Sequence, residues 1–121
     1  MANVSAAAPA VFCRATEQSF LRVASNPRVL QTYHQTAFTN RDAIDTLQRY
    51  LASPHVAFWN EPAGVEAIWF KLATRDTASP KLWMDAYLAA FAIAGNLQLM
   101  SLDHDFSAFV REGLNLQLLT P

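Results

Sequence analysis

Two aspartates stand out because each occurs beside residues that are mostly apolar. Asp85 lies in a predicted helix that is otherwise nearly all apolar, and Asp103 comes just past the short apolar run 97–100. Carboxylates are rarely left in apolar surroundings unless they are paired, hydrogen-bonded or bound to a metal. Two acids brought together at the exit of a buried strand therefore favour a site for a hard divalent cation, which prefers oxygen ligands.

A third acid, Glu17, falls on the apolar face of an early helix. Residues 12–24 have helical periodicity, and Glu17 shares one face with Cys13, Phe20 and Ala24. A carboxylate on a solvated face would have polar neighbours instead. Glu17 is therefore predicted to lie within an apolar stripe.

The elements that must position these acids alternate between helices and strands. Asn40 is predicted to cap the second helix, and Ser79 to cap the fourth with Pro80 at its first position. Residues 28–38 are predicted as a loop or broken helix, and 106–109 as one helical turn. The predicted helices are 12–24, 41–51, 65–73 and 80–94, and the predicted strands are 56–59, 97–101 and 114–119.

This alternation predicts an α/β fold with a mostly parallel sheet covered by helices on both faces. Ligands of such folds bind at the carboxyl ends of the strands. Asp103 lies just past a predicted strand end, where that rule places a binding site.

Composition limits the classes of protein to consider. A chain of 121 residues is predicted to form one domain, and a hydrophobic share of 52% excludes a disordered chain. The net charge of −1 gives no basic excess to indicate nucleic-acid binding. Cys13 is the only cysteine, which excludes an internal disulfide and a thiolate zinc cluster.

The sequence also predicts a cytoplasmic protein without a membrane segment. The alanine-rich start has no basic region and is interrupted by Pro9, unlike an export signal. No apolar run approaches the roughly 18 to 20 residues that span a bilayer.

Three motifs, in order, give a more specific indication. They are FCRATE at 12–17, DAYLAA at 85–90 and SLDHDF at 101–106. Together they resemble the PIN-domain ribonucleases, and most closely the VapC-type toxins of bacterial toxin–antitoxin modules. The resemblance covers residues 11–119, nearly the whole chain.

The resemblance implies a three-layer α/β/α fold and cleavage of RNA with Mg²⁺ or Mn²⁺ as the cofactor. By motif position, Glu17, Asp85 and Asp103 match catalytic, metal-binding acids of the family. Asp85 and Asp103 would bind the metal directly or through water, and Glu17 would bind through water or orient the nucleophile.

Groups outside the acids could also contact RNA, since basic side chains bind phosphates in general. Ser101, Arg14 and Lys81 are candidates for binding the RNA substrate. The implied protein partners are a cognate antitoxin that blocks the acidic pocket and a second copy of the chain in a homodimer.

The chain departs from the family pattern at its start. Members usually begin with a central strand that ends in an aspartate, followed by a helix, but no acid precedes Glu17 here. Residues 1–121 are therefore expected to form a single PIN-like domain that lacks the usual first strand. A mis-assigned start, a degraded relative and a dimer that covers the gap are all open explanations.

Each acid also has a purely structural alternative. Glu17 fits a surface position beside Arg14 or Arg22, and Asp85 fits a salt bridge with Lys81. Asp103 and Asp105 fit turn and cap positions, with Asp105 the preferred cap.

Two other functions fit the same residues. One is a catalytically inactive PIN-like module that sequesters an antitoxin or RNA. The other is an interaction domain without metal chemistry, held as a dimer through exposed sheet edges. Metal affinity distinguishes the interaction domain, which would bind no metal, from the ribonuclease and the inactive module. RNA turnover then distinguishes the ribonuclease from the inactive module.

Overall fold

The computed structural model describes residues 9–119, which fall into two compact units. The first unit extends to Asn60, and the second begins at Glu61. Each unit is described by itself below. Within the described residues, no helix has the length and apolar character needed to cross a membrane.

The first unit pairs two short strands in parallel and packs helices beside them. In chain order its elements are β1 (Ala10–Phe12), α1 (Arg14–Ala24), α2 (Pro27–Thr32), α3 (Asn40–Ala52) and β2 (Val56–Phe58). Ala10 lies opposite Val56, and Phe12 lies opposite Phe58. The ring of Phe20 on α1 makes edge contacts with Phe12 and with Tyr50 on α3, so aromatic packing joins the first strand to both longer helices.

Strand β1 was missed by the sequence prediction, which placed Phe12 in a helix. The Ala10 amide donates to the His55 carbonyl at 2.9 Å, and the Trp59 amide donates to the Phe12 carbonyl at 2.8 Å. These bonds come from residues more than forty positions away, so local periodicity does not contain them. The helix begins only at Arg14. Cys13 is its N-cap residue, and the Cys13 amide donates to Thr16 Oγ1 at 2.9 Å.

The predicted cap of α3 was wrong by one residue. The amide of Asp42 donates to Thr39 Oγ1 at 3.1 Å, so Thr39 is the N-cap and Asn40 is the first helical residue. A threonine and an asparagine in sequence are both good caps, and propensity alone does not choose between them. The short helix α2, which Asn26 caps, overlaps the segment predicted as a loop or broken helix and begins one residue before it.

The second unit contains the predicted 65–73 helix and both later strands. In chain order its elements are α4 (Val65–Ala73), α5 (Leu82–Ala94), β3 (Gln98–Ser101), a 3₁₀ helix (His104–Glu112) and β4 (Asn115–Leu118). Strands β3 and β4 are parallel, with Gln98 opposite Asn115 and Ser101 opposite Leu118. The predicted single turn at 106–109 is part of this longer 3₁₀ helix.

Small residues on α5 form the centre of the second unit's core. Ala86, Ala89 and Ala90 are fully buried, and they belong to a cluster with residues of α4 and the 3₁₀ helix. Alanine side chains allow neighbouring elements to approach closely, which sets where the first turn of α5 stands. Trp69 Nε1 also donates to the Trp83 carbonyl at 3.0 Å, which joins α4 to that first turn.

The predicted start of α5 was wrong by two residues. The helix begins at Leu82 with Lys81 as its N-cap residue. Ser79 does not cap it, because the Leu82 amide donates to the Ser79 carbonyl at 3.0 Å in a tight turn and the Ser79 hydroxyl bonds Thr77 Oγ1. The predicted end is confirmed, since Gly95 and Asn96 close the helix and Asn96 has φ of 52°.

The predicted α/β class with parallel strands is confirmed. The expected sheet is found as two pairs of parallel strands, β1 with β2 and β3 with β4. Among residues 9–119 each strand therefore has a single hydrogen-bonded neighbour.

We expect Phe109→Ala to lower the free energy of unfolding by about 3–5 kcal/mol, because removing a buried phenylalanine leaves a cavity. Phe109 is 1% exposed in the core of the second unit. Urea denaturation followed by circular dichroism measures the change. Val110→Ala is the matched control. Val110 is the next residue in the chain and is 50% exposed, so truncating its side chain should cost well under 1 kcal/mol. Equal losses for the two variants would contradict this account of the core.

Candidate functional site

Three carboxylates of the second unit converge at one place. One carboxylate oxygen from each of Asp85, Asp103 and Asp105 lies within 4.8 Å of the other two. Asp85 is partly buried on the first turn of α5, and the other two are exposed. The structure thus brings together two of the three predicted site acids, Asp85 and Asp103, and adds Asp105.

Local hydrogen bonds fix the turn that carries Asp103. Its amide donates to Ser101 Oγ at 3.0 Å, and its own Oδ1 accepts the Asp105 amide at 2.8 Å as N-cap of the 3₁₀ helix. The structural alternative for Asp103 is therefore confirmed, but the cap is Asp103 and not Asp105. Capping engages one oxygen of Asp103 and fixes the direction of the side chain toward the cluster.

Asp105 is the cluster member that the sequence analysis assigned to a purely structural role. Its side chain accepts no hydrogen bond from residues 9–119, and it stands beside two other carboxylates. The Asp-x-Asp spacing directly after a strand was the available signal. The two side chains come together in the turn in which Asp103 Oδ1 accepts the Asp105 amide, and the expectation of a single later turn did not include that turn.

The surroundings of Asp85 disfavour the ionised form of its carboxylate. Burial raises the pKa of Asp85 above its ordinary value of 3.8, and the negative charges of Asp103 and then Asp105 raise it further. The alternative of a salt bridge to Lys81 is not found. Among the described residues, the ion pairs join Arg14 to Glu17 and Lys71 to Glu112.

The donor set fits a hard divalent cation. Three carboxylates supply only oxygen ligands, as Mg²⁺ and Mn²⁺ prefer, and two of them are open to solvent for water or substrate to complete the coordination. A cation here would also neutralise the repulsion that raises the Asp85 pKa.

Glu17 lies in the first unit and is buried, as its place in an apolar stripe predicted. Its side chain is 7% exposed, while that of Arg14 is 74% exposed. Arg14 Nη1 donates to Glu17 Oε1 at 2.6 Å, and the guanidinium carbon lies 5.0 Å from the centre of the Phe58 ring. The predicted neighbour Arg14 is thus confirmed, but the surface position is wrong. The place of Glu17 in a metal site stays a prediction.

The three predicted substrate contacts have different surroundings. Lys81 is exposed and lines a pocket together with Asp85. Ser101 accepts the Asp103 amide, and Arg14 is engaged with Glu17. Their contacts with RNA stay predictions.

Comparison with known proteins gives a consistent family. The model of the PIN domain matches residues 3–112. Two relatives, each named Ribonuclease VapC41, come from Mycobacterium tuberculosis strains CDC 1551 and H37Rv. Each is 43% identical over 109 residues, which are 89% of this chain and 73% of the relative.

We expect Asp85→Asn to raise the melting temperature in EDTA at neutral pH. Because the folded pKa lies above the unfolded value of 3.8, the ionised carboxylate destabilises the fold at pH values above the folded pKa. This penalty declines as the pH falls through the folded pKa and is absent below 3.8. The gain of the variant should therefore shrink on acidification, as differential scanning fluorimetry can measure.

Asp76→Asn is the matched control, because Asp76 is an exposed acid of the same unit that is not part of the cluster. This variant should leave the melting temperature nearly unchanged. A lower melting temperature for Asp85→Asn would instead mean that the Asp85 carboxylate stabilises the metal-free fold.

Proposed function

We propose that this chain, which belongs to the PIN-domain family and is of the VapC ribonuclease type, is a divalent-metal-dependent endoribonuclease. We assign it the toxin role in a toxin–antitoxin pair. The observation that carries the proposal is the convergence of Asp85, Asp103 and Asp105. Burial raises the pKa of Asp85, and without a cation the charges of Asp103 and Asp105 raise it further.

Hydrolysis of an RNA phosphodiester needs an activated water and neutralisation of the charge that develops on the phosphate. Mg²⁺ or Mn²⁺, when bound, supplies Lewis acidity for both. Asp85 and Asp103 would hold the cation directly or through water, and Asp105, whose carboxylate lies in the same cluster, could also contribute a ligand. Glu17 is assigned to a water-mediated contact or to orienting the nucleophilic water.

Basic and hydroxyl groups of the chain are assigned to the RNA backbone. Lys81 is exposed beside Asp85 and has no ion-pair partner among residues 9–119, so its ammonium is available to a phosphate oxygen. Arg14 and Ser101 are assigned secondary contacts, because each already has a hydrogen-bond partner in the chain.

The proposed partners follow from the same function. A toxin that cuts RNA in the cytoplasm needs a cognate antitoxin, which we place over the acidic pocket. We further propose that residues 1–121 act as one PIN-like domain and that two copies form a homodimer.

A specific observation favours a second candidate, an inactive PIN-like module that binds RNA or an antitoxin. Glu17 is already paired with Arg14 at 2.6 Å. A fold that uses Glu17 only as a structural ion-pair partner would retain the cluster without turnover.

We expect the purified chain to cut a mixed RNA pool in Mg²⁺ or Mn²⁺ and to stop in EDTA. Asp85→Asn should lower the rate by at least about a hundredfold, because the cluster loses a charged ligand. Gel electrophoresis of end-labelled RNA measures both. Asp76→Asn should cut at the wild-type rate, since it removes a charge outside the cluster.

Cutting that persists in EDTA or in Asp85→Asn would refute the metal mechanism and point to a contaminating nuclease. Absence of cutting by folded protein that still binds Mn²⁺ would select the inactive module. Absence of Mn²⁺ binding as well would reject both and leave an interaction domain.

A further inference from the structure

A pocket of about 480 Å³ adjoins the acid cluster in the second unit. It is formed by the turn before α5, the first turn of that helix and the 3₁₀ helix. Asp85 and Asp105 belong both to its lining and to the cluster, and Pro80, Leu82 and Ala108 supply apolar surface. The pocket therefore opens where a cleaved bond would lie, but its walls have a different chemistry.

We propose that this pocket receives one nucleobase of the RNA strand that is cut at the neighbouring carboxylates. The proposal rests on the ribonuclease function proposed above and names a recognition site for its substrate. A nucleobase has apolar faces and polar edges, which match apolar walls bordered by charged groups. The volume lies in the range of about 300–1,000 Å³ that is usual for small-molecule sites.

The lining combines one cationic side chain, Lys81, with the carboxylates of Asp85 and Asp105, which the proposed function assigns to the divalent cation. Lys81 belongs to the lining and is exposed, with no ion-pair partner in the described part of the chain. A nucleotide places its phosphate against this ammonium and its base between the apolar walls.

Ala108 offers a way to close the pocket without disturbing the core. It is exposed on the 3₁₀ helix, so Ala108→Leu adds its bulk toward the pocket and solvent. Ser107→Leu is the matched control, because Ser107 is the exposed preceding residue and does not line the pocket. Both variants add one leucine to the same helix.

The test measures affinities for four nucleoside 5′-monophosphates and for ribose 5-phosphate in Mg²⁺, by NMR titration of the backbone amides. The wild type should bind at least one nucleotide about tenfold more tightly than ribose 5-phosphate, which is the usual scale of a base contact. Ala108→Leu should remove that difference, and Ser107→Leu should keep it.

A second pair of variants tests the phosphate contact. Lys81→Gln should weaken nucleotides and ribose 5-phosphate by the same factor of about three to ten, since it removes only the phosphate partner. Lys71→Gln is the control, because Lys71 carries the same charge on α4 and does not line the pocket. It should leave every affinity unchanged.

The proposal is overturned if ribose 5-phosphate binds as tightly as every nucleotide, or if Ala108→Leu keeps the nucleotide preference. If an arginine-rich peptide changes the chemical shifts of the pocket amides and no nucleotide does, the pocket binds a protein partner. That result would also overturn the proposal. Wild-type cleavage of RNA with an unchanged KM in Ala108→Leu would reject the pocket and leave the ribonuclease function standing. Base-dependent binding without cleavage would reject the function and support the pocket.

Discussion

The candidate site of the second unit depends on one constraint: the negative charge of Asp85 is partly buried and lies beside two other carboxylates. A helix rich in buried alanines sets Asp85 partly inside the protein, and two more carboxylates stand beside it. Burial and repulsion both raise its pKa. A fold selected only for stability has little reason to retain this arrangement, because neutral side chains would avoid both penalties. A bound cation gives the arrangement a physical reason.

Small features of the backbone are what make the carboxylates converge. The amide of Asp103 is held by Ser101, and Asp103 in turn accepts the amide of Asp105. These two hydrogen bonds stabilise the turn that connects the end of β3 to the start of the 3₁₀ helix. Asp103 is therefore a cap and a cluster member at once, and the structural and functional interpretations of this residue do not exclude each other.

The sequence was sufficient for the parts of the fold that local pattern controls. Helix α4 and the end of α5 were predicted correctly because apolar periodicity and the Gly95-Asn96 stop are local signals. Strand β1 was missed because pairing with β2 defines it. The start of α5 was misplaced because Ser79 bonds Thr77 and does not cap the helix.

The same division applies to the candidate site. Asp85 and Asp103 were found from motif position and apolar context, and the structure brings them together. Asp105 was given a capping role, since its place in the cluster depends on the geometry of the 3₁₀ turn. The burial of Glu17 followed from helical spacing. The structural alternative named Arg14 as its neighbour, and the two groups lie 2.6 Å apart, but that alternative wrongly placed Glu17 at the surface.

The central claim is that the three aspartates bind one divalent cation, and paramagnetic broadening by Mn²⁺ tests it most directly. Substoichiometric Mn²⁺ added to ¹⁵N-labelled protein should broaden first the amides near Asp85, Asp103 and Asp105. Amides near Asp42 and Asp45, two exposed acids of α3 that are not part of the cluster, serve as the internal reference. Equal broadening at both places, or broadening first at α3, would contradict the account.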